Sequence, residues 1–169
     1  MSIFKDKAVV ISGGSRGVGL EIAKALGKDG AKIAILAKTT EPHPKLPGTI
    51  YTAAEEIEEV GGSALPLICD IRFEDQVQES IEKVKKEFGG VDICINNASA
   101  IHLTDTVNTP MKRYDLMHNI NVRGTFLLSK SCIPHLKDGK NPHILTLSPP
   151  LDIDKKWFGR TLAYTTAKY

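Results

Sequence analysis

Residues 7–19 read KAVVISGGSRGVG, a short apolar run that passes straight into a glycine-rich turn. The run at 7–12 has the composition of a buried strand, and residues 18–26 beyond the turn carry apolar side chains at helical spacing. Glycine permits a tight turn and lets backbone N–H groups approach an anion with no Cβ in the way. The opening of the following helix adds a favourable field for negative charge. A glycine-rich stretch alone says little. Between a first strand and an amphipathic helix, it points to phosphate binding rather than to a bare structural turn. The spacing Gly13-x-x-x-Gly17-x-Gly19 is wider than the usual G-x-G-x-x-G dinucleotide fingerprint. It also lacks the Gly-Lys-Ser/Thr ending of a nucleoside-triphosphate loop.

Outward from this turn, apolar strand-like runs alternate with helix-period stretches. Strands are expected at 32–37 (KIAILA), 64–69 (ALPLIC), 91–95 (VDICI) and 143–147 (HILTL). Helices are expected at 49–60, ending at Gly61-Gly62, and at 74–88, with Val77, Ile81, Val84 and Phe88 on one face. A long helical pattern over 110–136 is interrupted near Asn119 to Asn121, and a last helix is expected to begin near Thr161. Continuously apolar strands separated by helices imply a parallel sheet covered on both faces, a doubly wound (Rossmann-type) α/β fold. The segment 39–48 (TTEPHPKLPG) holds too many prolines for helix or strand. It reads as a loop at the carboxyl edge of the sheet, where open α/β sheets bind ligands.

The 169-residue chain is long enough to bury one domain's core. Its formal net charge of +2 supplies no basic field for nucleic acid. No apolar run approaches the roughly 20 residues of a membrane span. The N-terminus is neither a secretory signal nor an Arg-rich presequence, so the default expectation is a cytoplasmic protein. Cys69, Cys94 and Cys132 sit in apolar stretches and read as buried free thiols. The five histidines show no ligand spacing, and no metal site is expected.

Further residues join the glycine spacing in order. They are Asn96-Asn97-Ala98-Ser99 after the fourth strand, Asn121 in NVRG, and Tyr164-Thr-Thr-Ala-Lys168 after the fifth. Together these resemble the short-chain dehydrogenase/reductase family over the whole chain, with serine in place of the family's glycine at 99. The resemblance implies a nicotinamide-dependent oxidoreductase acting on a small alcohol or carbonyl. It also implies a coenzyme held by Gly13, Ser15, Arg16, Gly17, Val18, Gly19 and Asn97, with Asp70 at the adenine unless that aspartate only caps a turn.

Tyr164 and Lys168, one helical turn apart, would be the catalytic pair. A free tyrosine has a pKa of about 10, and a neighbouring ammonium favours its phenolate. Lys168 would also hold the nicotinamide ribose, and Asn121 a water in a proton relay, where the alternative is a local kink. Ser148 is the candidate for orienting the substrate oxygen, although proline stands where the family's serine usually lies. The Ser-Pro-Pro run, the 39–48 loop and Lys156-Trp157-Phe158 resemble the hydroxysteroid dehydrogenase-like branch. Trp157 and Phe158 read equally as pocket wall or as core.

NAD-preferring enzymes place a carboxylate at the end of the second strand. Here that place holds Ala37-Lys38, and Arg16 with Lys38 could flank a 2′-phosphate, which favours NADP over NAD. Family members continue for several elements beyond the position of Tyr169. The expectation is therefore one dinucleotide-binding domain over 1–169, incomplete on its C-terminal side. The resemblance implies that dimer or tetramer contacts come partly from the portion beyond Tyr169, with a homo-oligomer possible in the full-length protein. A coenzyme-binding module with little catalysis stands as the alternative.

Overall fold

The computed structural model describes residues 2–44, 46–136 and 141–169. Its strands are β1 (Ala8–Ser12), β2 (Lys32–Ala37), β3 (Ser63–Ile68), β4 (Ile93–Asn96) and β5 (His143–Thr146). All pair in parallel, in the order β3-β2-β1-β4-β5. Strands are added outward from β1 first on one side and then, from β4, on the other, so the carboxyl ends of β1 and β4 form the crevice where doubly wound folds bind ligands.

Side chains alternate between the faces of each strand, and both faces are apolar. Val9, Ile11, Ile33 and Ile35 pack under helices α1 (Gly17–Lys28) and α2 (Ile50–Glu59). Val10, Ala34, Leu36 and Cys94 face the other way, under α3 (Glu74–Phe88) and α5 (Thr125–Leu136). The capping of α2 is legible in its chemistry: the Thr49 hydroxyl oxygen accepts the N–H groups of Tyr51 and Thr52, and Thr52 returns the bond to Thr49 N–H. By contrast, α1 opens at Arg16 with no side-chain cap and no carboxylate in its first turn.

Several sequence expectations are corrected. β4 starts at Ile93 rather than at residue 91, because Asp92 turns its carboxylate to Lys7 Nζ (2.7 Å) and Ala8 N–H (2.9 Å). The pattern over 110–136 is interrupted where expected, and divides into α4 (Met111–Met117), a π-helical stretch (His118–Gly124) that contains Asn119 to Asn121, and α5. The wider turn turns Asn121 inward. The final helix, α6 (Lys155–Lys168), starts six residues before Thr161. Asp154 caps it by accepting Lys156 N–H at 2.8 Å, and Thr161 is a break within it (φ −143°, ψ 38°). Within the given residues β5 lies last in the sheet order, and its four residues are exposed.

The cysteines are free and buried, as expected, but Cys94 and Cys132 are neighbours in space despite their separation in sequence. This contact, and then burial, push the Cys132 thiol well above its ordinary pKa, which keeps it protonated. Among the described residues no helix is long and apolar enough to cross a membrane, and no cluster of metal-ligating side chains occurs.

Candidate functional site

At the β1/β4 crevice lies a cleft of about 360 Å³. Its floor and walls include Gly13, Ser15, Arg16, Lys38, Asp70 and Asn97, so six of the residues singled out from sequence converge there. Each follows directly on a strand or belongs to the first turn, because the parallel sheet delivers all its carboxyl ends to one edge. Gly17 and Val18 form the opening of α1, and Val18 is 64% exposed. Gly19 is buried beneath the turn.

Asn97 acts as a clamp. Its Nδ2 donates to the carbonyls of Ser12 (3.0 Å) and Gly13 (2.9 Å), fixing the glycine turn to the end of β4. The buried Ser12 hydroxyl oxygen accepts the N–H groups of Asn97 and Ala98 from the other side. Sequence reading passed over Ser12, since a serine ending a strand carries no signal of its own.

The two cations are differently placed. Arg16 donates to the carbonyls of Leu46 (2.9 Å) and Gly48 (3.1 Å), which ties the proline-rich 39–48 loop to the glycine turn. Lys38 is largely exposed, with Nζ 3.9 Å from Asp70. The Asp70 carboxylate is gripped by Arg72 through Nε (2.9 and 3.0 Å) and Nη2 (2.5 Å), and also accepts the Arg72 N–H. Arg72, whose role the sequence did not disclose, thereby holds the Asp70 carboxyl below the usual aspartate range. Arg123 in turn donates to the Arg72 carbonyl.

Replacing Arg72 with glutamine should raise the Asp70 pKa toward the ordinary value of about 3.9. The stabilisation from this lowered pKa is complete above that ordinary value and fades as pH falls through the folded-state value, so the variant should lose less stability on acidification. An NMR titration of the Asp70 carboxyl carbon checks this, and an unmoved midpoint would contradict the pairing.

Asn121 is buried within the π-helical stretch. Its Oδ1 accepts Ala100 N–H and its Nδ2 donates to Ala100 O, both at 2.9 Å. Its side chain therefore positions the segment after β4. That segment leads from the cleft, which Asn97, Ala98 and Ser99 line, to a second cavity of about 340 Å³ lined by Ile101, Leu103 and Tyr164. Tyr164, like Ala100 and Tyr114, packs against the buried cluster of Met117, Ala163 and Ala167. Its hydroxyl has no hydrogen-bond partner among the described residues. Lys168, one turn along α6, donates from Nζ to the Leu147 carbonyl at 2.8 Å, and burial pushes its pKa below the ordinary lysine value. The Ser148 hydroxyl donates to the Pro149 carbonyl at 2.7 Å. The structure thus gathers one cleft that carries the charged side chains of Arg16, Lys38 and Asp70 and one mostly apolar cavity along a single sheet edge, joined by residues 97–103.

Comparison with known proteins agrees with this layout. The family model described as short chain dehydrogenase matches residues 7–169. Hydroxysteroid dehydrogenase-like protein 2 of Homo sapiens is 61% identical over 161 residues, which cover 95% of this chain and 38% of that protein. The chain therefore spans about two-fifths of the length of this curated relative. A short chain dehydrogenase from Mycobacterium thermoresistibile superposes with a TM-score of 0.95 at 58% identity, over 98% of this chain and 59% of that one. A putative dehydrogenase from Xanthomonas campestris gives 0.94 at 50% identity, over 98% and 61%.

Proposed function

This chain belongs to the short-chain dehydrogenase family, and from that premise we propose that it is the coenzyme-binding unit of an NADP-dependent oxidoreductase acting on a secondary alcohol or its carbonyl. The observation that carries the reading is the cleft at the β1/β4 crevice. There the uncapped opening of α1, Arg16 and Lys38 offer N–H groups and positive charge without a competing carboxylate in the first turn. The amide groups of Gly17 and Val18 take the pyrophosphate in this reading. Arg16 and Lys38 take the 2′-phosphate, Asn97 keeps the turn in shape, and Asp70 stands on the adenine side.

The bound coenzyme supplies or accepts the hydride. In reduction the Tyr164 hydroxyl donates its proton to the substrate oxygen, and in oxidation the tyrosine oxygen takes one from the alcohol. Lys168 would exchange its carbonyl contact for the ribose hydroxyls and would place a positive charge beside the phenol, stabilising the phenolate. Asn121 holds Ala100 and so fixes the path between the two cavities. Coenzyme binding without catalysis remains a second reading, favoured by one observation: the Ser148 hydroxyl is spent on Pro149.

The Lys38→Asp variant tests coenzyme choice. A charge-assisted contact to phosphate contributes about 1.5–3 kcal/mol. NADPH affinity should therefore fall roughly 10- to 100-fold while NADH affinity changes far less, as read by coenzyme fluorescence. Equal loss for both would refute the NADP assignment.

A further inference from the structure

We propose that the loop after β2 selects the coenzyme: the backbone carbonyls of Leu46 and Gly48 hold the Arg16 guanidinium where it meets the 2′-phosphate, and Gly48 is the positioning residue that lets them do so. This rests on the NADP reading given above. β2 delivers the loop to the rim of the cleft, which its first residue, Thr39, lines beside Arg16 and Lys38. The loop closes on itself where Ile50 N–H donates to the Thr39 carbonyl (3.0 Å), and within it Leu46 N–H donates to the His43 carbonyl (3.1 Å). Closed surface loops carried on a rigid scaffold are frequent sites of function. Pro42, Pro44 and Pro47 each fix a backbone angle, so less chain freedom is left to lose.

The loop holds Arg16 by its backbone alone. Nη1 donates to the Leu46 carbonyl and Nη2 to the Gly48 carbonyl, so the planar fork of the guanidinium spans two carbonyls of one segment. A guanidinium carries five N–H donors, and those the loop leaves over can serve an anion in the cleft that Arg16 lines. Without this support, a long flexible side chain would have to become ordered when the phosphate arrives, which weakens binding.

Gly48 makes the approach possible. Its φ of +98° lies where L side chains are strained, and a Cβ there would stand 2.7 Å from the Ser15 carbonyl oxygen. Ser15 is buried, in the turn that Asn97 clamps at Ser12 and Gly13, whereas Leu46 is 55% exposed. An added methyl group therefore lifts the loop and spares the turn, and the two carbonyls withdraw from Arg16.

In Gly48→Ala, NADPH affinity should fall roughly tenfold, while NADH, which lacks the 2′-phosphate, should bind within about twofold of the unmodified protein. In an Arg16→Ala background the same change should cost less than about twofold more, since no guanidinium is left to hold. Pro47→Gly loosens the exposed segment between the two carbonyls without a clash. It should weaken NADPH roughly two- to fivefold and again spare NADH. Affinities are read from coenzyme fluorescence and folding from the thermal midpoint. Gly48→Ala decides the matter where it folds, and Pro47→Gly where it does not.

Equal losses of NADPH and NADH affinity would make Gly48 a structural residue of the turn and overturn the proposal. Unaltered NADPH affinity would do the same, as would an undiminished further loss in the Arg16→Ala background. The NADP reading fails separately, if the unmodified protein shows no preference for NADPH over NADH, and the proposal falls with it. A preference that Gly48→Ala leaves untouched refutes the role of the loop alone.

Discussion

Tyr164→Phe should cut the rate of carbonyl reduction by about 10²- to 10⁴-fold, the usual contribution of a positioned acid or base, while leaving fold and coenzyme affinity unchanged. The separation is expected because the hydroxyl makes no hydrogen bond to the described residues and the ring supplies the packing against the Met117, Ala163 and Ala167 cluster. Phenylalanine keeps that ring. Thermal midpoint and NADPH affinity should therefore match the unmodified protein, with the loss confined to turnover. A variant that turns over normally would remove Tyr164 from the chemistry. One that fails to bind NADPH would make it a structural residue.

Gly19→Ala should damage the nucleotide site through a single added methyl group. A Cβ at this position would lie 2.4 Å from Asn97 Nδ2 and 2.7 Å from the Gly13 carbonyl oxygen. Neither neighbour is free to yield, since Asn97 is held by two hydrogen bonds and Gly13 O is backbone. Overpacking of this kind costs about 1–3 kcal/mol and outweighs the gain of up to about 1 kcal/mol that alanine brings to a helix. Because the displaced groups shape the phosphate turn, NADPH affinity should fall at least roughly tenfold alongside the drop in denaturation midpoint.

Gly17→Ala is the instructive comparison. There a Cβ meets nothing within 4 Å, but the backbone stands at φ +56°. Its cost should be the strain of a left-handed alanine, about 1–2 kcal/mol, without displacement of Asn97. If Gly19→Ala binds NADPH as tightly as the unmodified protein, the Asn97 clamp is not what shapes the turn.

The layered fold was legible because its signals are local. Continuously apolar strands, helices with one buried stripe and glycines at the turns each declare themselves within a short window. The positions of Gly13, Lys38 and Asn97 at one edge then follow from the parallel topology alone. What escaped notice depends on contacts between distant segments. Arg72 holds Asp70 only because both flank the turn after β3, and Arg16 carries the 39–48 loop through backbone carbonyls that have no residue signature.

The early start of α6 was hidden by the break at Thr161, which splits one helix into two short periodic pieces. Its capping residue, Asp154, lies in an irregular stretch where aspartate is unremarkable. Trp157, equally a core or a wall residue by composition, was settled by a hydrogen bond to Asp152 that fixes the indole against the cavity.

The most direct test is to soak NADPH into crystals of the protein and locate it. The expected density has the pyrophosphate on the N–H groups of Gly17 and Val18, the 2′-phosphate between Arg16 and Lys38, and the nicotinamide beside Tyr164. Coenzyme lying elsewhere, or absent at millimolar concentration, would contradict the proposed site and the chemistry built on it.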